Sequence, residues 1–97
     1  MSRRDEALCE ELKEVARRLG IQVREEQLLR EVGYRVRSGG CRVRGDEVIF
    51  LDRNLPPAER AEVLLDEIGT RDRRVLEGLY LSPDVRRLLE RRGRATT

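Results

Sequence analysis

Carboxylates one helical turn apart are the residues of this chain that could do chemistry. The stretch LLDEIGT, Leu64 to Thr70, contains Asp66 and Glu67, and Glu62 precedes Asp66 by four positions. Two such carboxylates can share a hard divalent cation, with Asp52 nearby, but such a cation needs more ligands than two. Exposed acids that pair with arginines explain the pattern more simply. We therefore expect no metal site here.

The absence of histidine from the sequence limits the remaining chemistry. A Cys–His nucleophile cannot be assembled. Cys9 and Cys41 are expected to be small buried hydrophobes and not a disulfide framework. The SGG stretch at residues 38–40 precedes a predicted strand and no lysine-bearing helix, so it is no phosphate-binding loop. We predict no catalytic residue, no cofactor and no enzymatic activity.

The composition is that of one small domain with interspersed charge. The 97 residues suffice for a single domain, 1–97. Hydrophobic residues make up 38% of the chain and aromatic residues 3%, which predicts an aliphatic core. Charged residues make up 41%, yet the net charge is only +2, which favours surface ion pairs over a generic polycation. With no long apolar run and no signal peptide, we expect a cytoplasmic protein that does not bind membranes.

Three segments have the spacing of amphipathic helices. The first runs through DEALCEELKEVARRLG and ends at Gly20, and IQVR after it predicts a short strand. The second begins at Pro56–Pro57 and ends near Gly69, and the third begins at Ser82, with Pro83 as its first helical residue. A connector with apolar anchors joins the last two, and a frayed tail is expected from about residue 93.

Two glycine-containing turn signals divide the middle of the chain. Gly39–Gly40 and Gly45–Asp46 predict two-residue hairpin loops, and hence a three-stranded antiparallel meander over residues 34–52. In this register Val43 lies opposite Val48. The apolar run EVIF predicts that the last strand is central in the sheet.

The register divides the meander into two faces. One face has Val36, Cys41, Val43, Val48 and Phe50. The other has Arg35, Arg37, Arg42, Arg44, Glu47, Ile49 and Leu51. We predict an α+β fold in which about three helices pack mainly on the Val/Cys/Phe face of a three- or four-stranded, mostly antiparallel sheet.

The segment from Val48 to Thr70 resembles the strand–loop–helix segment of the ImmA/IrrE-type zinc peptidases, in which an apolar strand leads to a helix with the sequence L-A-H-E-L-G-H. The resemblance puts Glu67 at the general-base position, and Asp66 and Thr70 at the positions of the two zinc-binding histidines. Threonine is not a useful zinc ligand, so catalysis through zinc-bound hydroxide is excluded. The resemblance implies a shared fold without the catalysis. The alternative is that Asp66 and Glu67 are ordinary solvated helix residues.

The arginine face is the predicted contact surface. Opposed arginines on neighbouring strands repel each other, so acidic groups of the chain or of a partner should offset the repulsion. We predict a non-catalytic module that acts as a regulatory or accessory subunit, through a protein partner or self-association. The predicted binding residues are Arg35, Arg37, Arg42, Arg44, Ile49 and Leu51. The alternative is a nucleic-acid-binding protein that uses the same arginines, although no aromatic residues are interleaved for base stacking.

Overall fold

The fold is α+β, with four helices and a three-stranded mixed sheet. A computed structural model describes residues 3–26, 39–71 and 73–95. The elements in chain order are α1 (Arg3–Arg18), β1 (Gln22–Glu26), β2 (Gly39–Val43), β3 (Asp46–Asp52), α2 (Pro57–Gly69), α3 (Arg73–Glu77) and α4 (Pro83–Ala95). α3 lies in the predicted connector, and α4 extends past residue 93, where we expected a frayed tail.

The sheet has the strand order β1-β3-β2, so the apolar strand β3 is central, as predicted. β2 is antiparallel to β3, but β1 is parallel to it, with Val23 aligned to Ile49. The prediction of a mostly antiparallel sheet is therefore wrong for β1. Residues 34–38, the first predicted strand of the meander, lie outside the described residues.

The turn between β2 and β3 differs from the predicted one by one position. Cys41 pairs with Val48 and Val43 pairs with Asp46, so the two-residue loop is Arg44–Gly45 and not Gly45–Asp46. This change moves each partner by two residues. Because side chains alternate along a strand, a shift of two leaves the division between the faces intact.

The helices pack on the face opposite to the predicted one. Ile49 and Leu51 are 1% and 0% exposed and belong to the core, together with Leu64 and Ile68 of α2. The prediction that the helices cover the Val/Cys/Phe face is wrong. Four consecutive positions of β3, Val48 to Leu51, are apolar, so alternation alone does not say which face the helices bury.

The core is aliphatic, as the composition predicts. Among the described residues, the buried apolar side chains are those of Leu, Ile, Val, Ala and Cys9. Helix α1 buries one stripe that includes Leu12, Val15 and Ala16, and α2 buries residues spaced by three and four positions. At the start of α4 the Val85 N–H donates to Ser82 Oγ at 3.3 Å, the cap that the sequence predicts.

Candidate functional site

The candidate site is the tip of the β2–β3 hairpin and the cleft between this hairpin and α2. We call this cleft the hairpin cleft; its volume is about 190 Å³. Arg42 and Glu47 line it from the hairpin, and Glu67 and Arg71 line it from α2 and the residues after it. The sequence therefore identified Arg42 and Glu67 by separate arguments, and the fold brings them to one cleft.

Glu67 packs against the backbone of Gly40. A β-carbon at residue 40 would lie 2.9 Å from Glu67 Cδ and closer still to Oε2. Only glycine leaves this space free while Glu67 keeps its position. The prediction of a hairpin loop at Gly39–Gly40 is not met, because both residues belong to β2. In β2, Gly40 allows the close approach of a helix side chain.

An ion pair joins the hairpin to the end of α2. Arg71 Nη2 contacts Glu47 Oε2, and the two side chains are about one-third exposed. The hydrogen bond from Arg71 lowers the pKa of Glu47, partial desolvation opposes this, and the charge of Arg42 adds a smaller lowering. Arg71 Nε is buried and has no hydrogen-bond partner among the described residues. A charge pair at the cleft thus links the hairpin to the residues after α2.

The hairpin tip, Arg42 to Asp46, is exposed and rigidly shaped. Arg44 and Gly45 have φ angles of 53° and 85°, and positive φ at both central residues is the signature of a type I′ turn. Arg44 is the one non-glycine residue with positive φ in the described part of the chain. Arg42, Val43 and Arg44 are all exposed, Val43 by 41%. The tip therefore presents two guanidinium groups, and the apolar side chain of Val43 lies on the opposite face of the ribbon.

Replacing Arg44 by Asn should raise the free energy of unfolding by about 0.5–1 kcal/mol, because Asn tolerates positive φ far better than Arg does. Urea denaturation followed by circular dichroism measures the change. Gly45→Ala is the control of opposite sign and should lower stability by roughly 1 kcal/mol. A drop in stability for Arg44→Asn would mean that the Arg44 side chain stabilises the fold through a contact of its own.

The predicted arginine face is only partly present in the described structure. Arg42 pairs with Glu47, and Arg44 lies in the turn. Ile49 and Leu51 are core residues covered by the helices of the same chain, so their assignment to an exposed binding surface is wrong. Arg35 and Arg37 lie outside the described residues.

The residues that the peptidase resemblance singles out are engaged in structural contacts. Asp66 binds Arg92 of α4, and Glu62 binds the same guanidinium group. The Thr70 hydroxyl donates to the backbone oxygen of Glu67 at 2.8 Å. In the described ranges no three His, Cys, Asp or Glu residues come together as metal ligands. The two carboxylates considered for a shared cation hold an arginine instead.

Arg71 is the functional candidate that sequence reasoning missed. It lies two residues after the end of α2, and it lines the hairpin cleft together with Glu67. No local pattern shows that Arg71 reaches Glu47 on a strand more than twenty positions earlier in the chain. The contact depends on how α2 crosses the sheet, which a local pattern does not specify.

Comparison with models of protein families, with curated proteins and with solved structures finds no match for this chain. Within the described residues, no helix combines the length and the apolar character that crossing a membrane requires. The class that the fold and the site define is thus a small α+β domain with a charged hairpin cleft.

Proposed function

We propose that this chain is a non-catalytic binding module that contacts a protein partner through the hairpin tip, as a regulatory or accessory subunit. The observation that carries the proposal is Arg44 at a φ of 53°. A non-glycine residue in this conformation costs stability, and such strain concentrates at functional sites. Arginine at this position is explained if its side chain contributes to binding.

The shape of the tip supports the proposal. The turn is tight, so little conformational entropy is lost when a partner orders it. The Glu47–Arg71 pair and the contact of Glu67 with Gly40 hold the hairpin against α2. Arginine is enriched among the residues that dominate binding energy at protein interfaces. A rigid element with two exposed arginines meets the requirements of a preorganised contact.

The chemistry of the tip indicates the kind of partner. Arg42 and Arg44 favour carboxylates on the partner's surface, because guanidinium–carboxylate hydrogen bonds are charge-assisted and can be bidentate. Val43, between them in sequence, favours a shallow apolar contact. Asp46 is exposed at the same tip and would repel a uniformly acidic surface. The partner that fits is a protein surface that offers a few carboxylates to the arginines and an apolar contact to the other face of the ribbon.

Affinity capture from the native cell with a matched pair of charge reversals tests the proposal. The double variant Arg42→Glu plus Arg44→Glu should lose the captured protein. The control Arg87→Glu plus Arg91→Glu changes the net charge equally at exposed positions of α4 and should retain it. If both variants lose the partner alike, net charge governs capture and the hairpin tip is not the contact.

Nucleic acid is the second candidate, because two exposed arginines lie on a two-stranded ribbon of the kind that can enter a groove. Two phosphate contacts would give a slope of log K against log salt of about −2. Binding to duplex DNA, duplex RNA and heparin across a salt series measures this slope. Unchanged binding by the Arg42→Glu, Arg44→Glu variant would eliminate this candidate.

A further inference from the structure

The hairpin cleft contains two charges of opposite sign that have no ion-pair partner among the described residues. Arg42 and Glu67 both line the cleft, and neither side chain forms an ion pair or a hydrogen bond within the described ranges. Glu47 and Arg71 beside them are paired with each other, and Arg42 acts on Glu47 through its charge alone. A half-buried carboxylate such as that of Glu67 has lost part of its water and gained no partner, which costs free energy.

The sheet determines where these two charges lie relative to each other. Gly40 is paired with Ile49, and Arg42 is paired with Glu47. Directly opposed residues of an antiparallel pair share one face of the sheet, and Ile49 lies on the face that the helices cover. Arg42 therefore starts from this covered face, two positions along β2 from Gly40, on which Glu67 packs. Two positions of a strand span about 7 Å, so the two side chains meet β2 at closely spaced points.

The cleft also has an unsatisfied donor and an apolar wall. Arg71 Nε is buried without a hydrogen-bond partner among the described residues, and buried donors are rarely left unpaired in folded proteins. Ile21 and Ile49 line the cleft, and because both are buried they form its inner wall. The cleft volume of about 190 Å³ exceeds the roughly 150 Å³ of a protein cavity that takes up benzene. An apolar wall with a few polar groups is the usual composition of a small-molecule site.

The charges of the cleft indicate the class of ligand. A purely anionic ligand would face Glu67, and a purely cationic ligand would face Arg42, so either one leaves a charge of the cleft unpaired. An α-amino acid carries a carboxylate and an ammonium group on the same carbon atom. Its carboxylate can accept hydrogen bonds from Arg42, and its ammonium group can donate to Glu67. An aliphatic side chain can pack on the apolar wall.

We propose that the hairpin cleft is a binding site for a free α-amino acid with an aliphatic side chain. The site does not depend on the function proposed for the hairpin tip, because Arg44 in the turn is not among the residues that line the cleft. Arg42 belongs to both surfaces, so a bound amino acid would compete with the carboxylates of a protein partner for this arginine.

Isothermal titration calorimetry of the full chain with L-leucine, L-isoleucine and L-valine tests the proposal. The expected dissociation constant for the best of the three is about 0.01–1 mM, the range of a ligand with so few atoms. Leucinamide lacks the carboxylate and 4-methylpentanoate lacks the ammonium group, so each should bind roughly tenfold or more weakly than leucine. The proposal is overturned if none of the three amino acids binds below about 10 mM, or if either analogue binds as well as leucine.

Two matched pairs of variants test whether the cleft is the site. Glu67→Gln and Arg42→Gln each remove one of the two charges and should weaken leucine binding roughly tenfold or more. Glu59→Gln, at an exposed position near the start of α2, and Arg44→Gln, in the turn, remove the same charges outside the cleft and should bind leucine like the parent. Circular dichroism checks that all four variants are folded. Leucine binding that survives Glu67→Gln unchanged, or that falls equally in the controls, refutes the site.

Backbone amide shifts of the labelled parent chain locate the ligand without any substitution. Leucine should shift the amide signals of Gly40, Arg42 and Glu47, which line the cleft from the hairpin. Leu76 and Leu89 line a different cleft, of about 120 Å³, and their amide signals should not move. Shifts confined to that second cleft would assign the ligand to it and contradict the proposal, and the function proposed for the hairpin tip would be unaffected.

Discussion

Replacing Ile49 by Ala should lower the free energy of unfolding by about 2–5 kcal/mol, the usual cost of truncating a large buried aliphatic side chain. Ile49 is 1% exposed and packs in the core under the helix layer. The loss has two parts, the transfer of buried methyl groups and the cavity that remains. Because small domains are stable by only about 5–15 kcal/mol, the variant should be close to unfolding at physiological temperature. Urea denaturation with tryptophan-independent detection, such as far-ultraviolet circular dichroism, measures the change.

The control for this prediction lies on the neighbouring strand. Val43→Ala removes apolar atoms from a residue that is 41% exposed and should change stability by no more than about 0.5 kcal/mol. Comparing Ile49→Ala with Val43→Ala also shows whether Ile49 belongs to the core or to a contact surface. If Ile49→Ala left stability unchanged and instead abolished partner capture, Ile49 would be a surface residue and the helices would have to cover the other face of the sheet.

The sequence predicted the elements better than their arrangement. Three of the four helices and the central position of β3 follow from local signals: apolar stripes of period 3.6, a proline at a helix start, a serine cap and a run of apolar residues. The side of the sheet that the helices cover does not follow, because Val48 and Ile49 are both buried and a local pattern cannot rank them. Which face of the sheet the helices cover depends on how the whole core packs.

The hairpin shows what a turn signal can and cannot specify. The glycine at position 45 correctly marked a reversal, but the sequence did not show which neighbour shares the turn. An aspartate after the glycine suggested Gly45–Asp46, whereas the chain places Arg44 at positive φ. The less favourable residue occupies the turn, and propensity alone could not have predicted this. Such a disagreement between local preference and structure is expected at functional sites.

The candidate site depends on long-range contacts that no short pattern contains. Arg42 and Glu47 were placed on one face of the predicted hairpin, but Glu67 and Arg71, the other charges of the hairpin cleft, come from α2 and the residues after it. The parallel pairing of β1 with β3 joins segments more than twenty residues apart. A sequence-based hypothesis could therefore propose the hairpin as a contact element and single out Glu67, but it could not show that Glu67 and Arg71 lie against the hairpin.

Replacing Glu25 by Ala should destabilise the fold by about 1–3 kcal/mol, because it leaves two cations without their shared partner. Lys13 is 8% exposed, and its Nζ lies 3.0 Å from Glu25 Oε1 and 2.6 Å from Glu10 Oε1. Arg60 of α2 approaches the same Glu25 oxygen at 3.5 Å. Breaking a fully buried pair costs about 3–5 kcal/mol, and the value is lower here because Glu25 is one-third exposed and water screens its charge. Denaturant unfolding of the parent and the variant at neutral pH measures the loss.

The neighbouring residue supplies the control. Glu26 also belongs to β1 and pairs with Arg24 at 2.9 Å, but both side chains are over 40% exposed. Glu26→Ala should therefore cost no more than about 1 kcal/mol, the range of surface ion pairs. Equal losses for Glu25→Ala and Glu26→Ala would show that the Lys13 network contributes no more than a surface pair.

The pH dependence of stability gives an independent measure of the same network. Burial pulls the pKa of Lys13 down, and the hydrogen bonds to Glu10 and Glu25 more than offset this, so the pKa lies above its ordinary value. A raised lysine pKa contributes stability that is complete below the unfolded pKa of about 10.4 and disappears as the pH rises through the folded value. The parent should lose this contribution to its free energy of unfolding in strongly alkaline solution. The Glu25→Ala variant should lose less free energy of unfolding over the same pH range.

Adding Lys13→Met to Glu25→Ala should recover part of the stability lost at neutral pH, because the damage comes from a buried charge that keeps only Glu10 of its two partners. If the double variant is less stable than Glu25→Ala, the aliphatic stem of Lys13 and not its charge is what the fold requires.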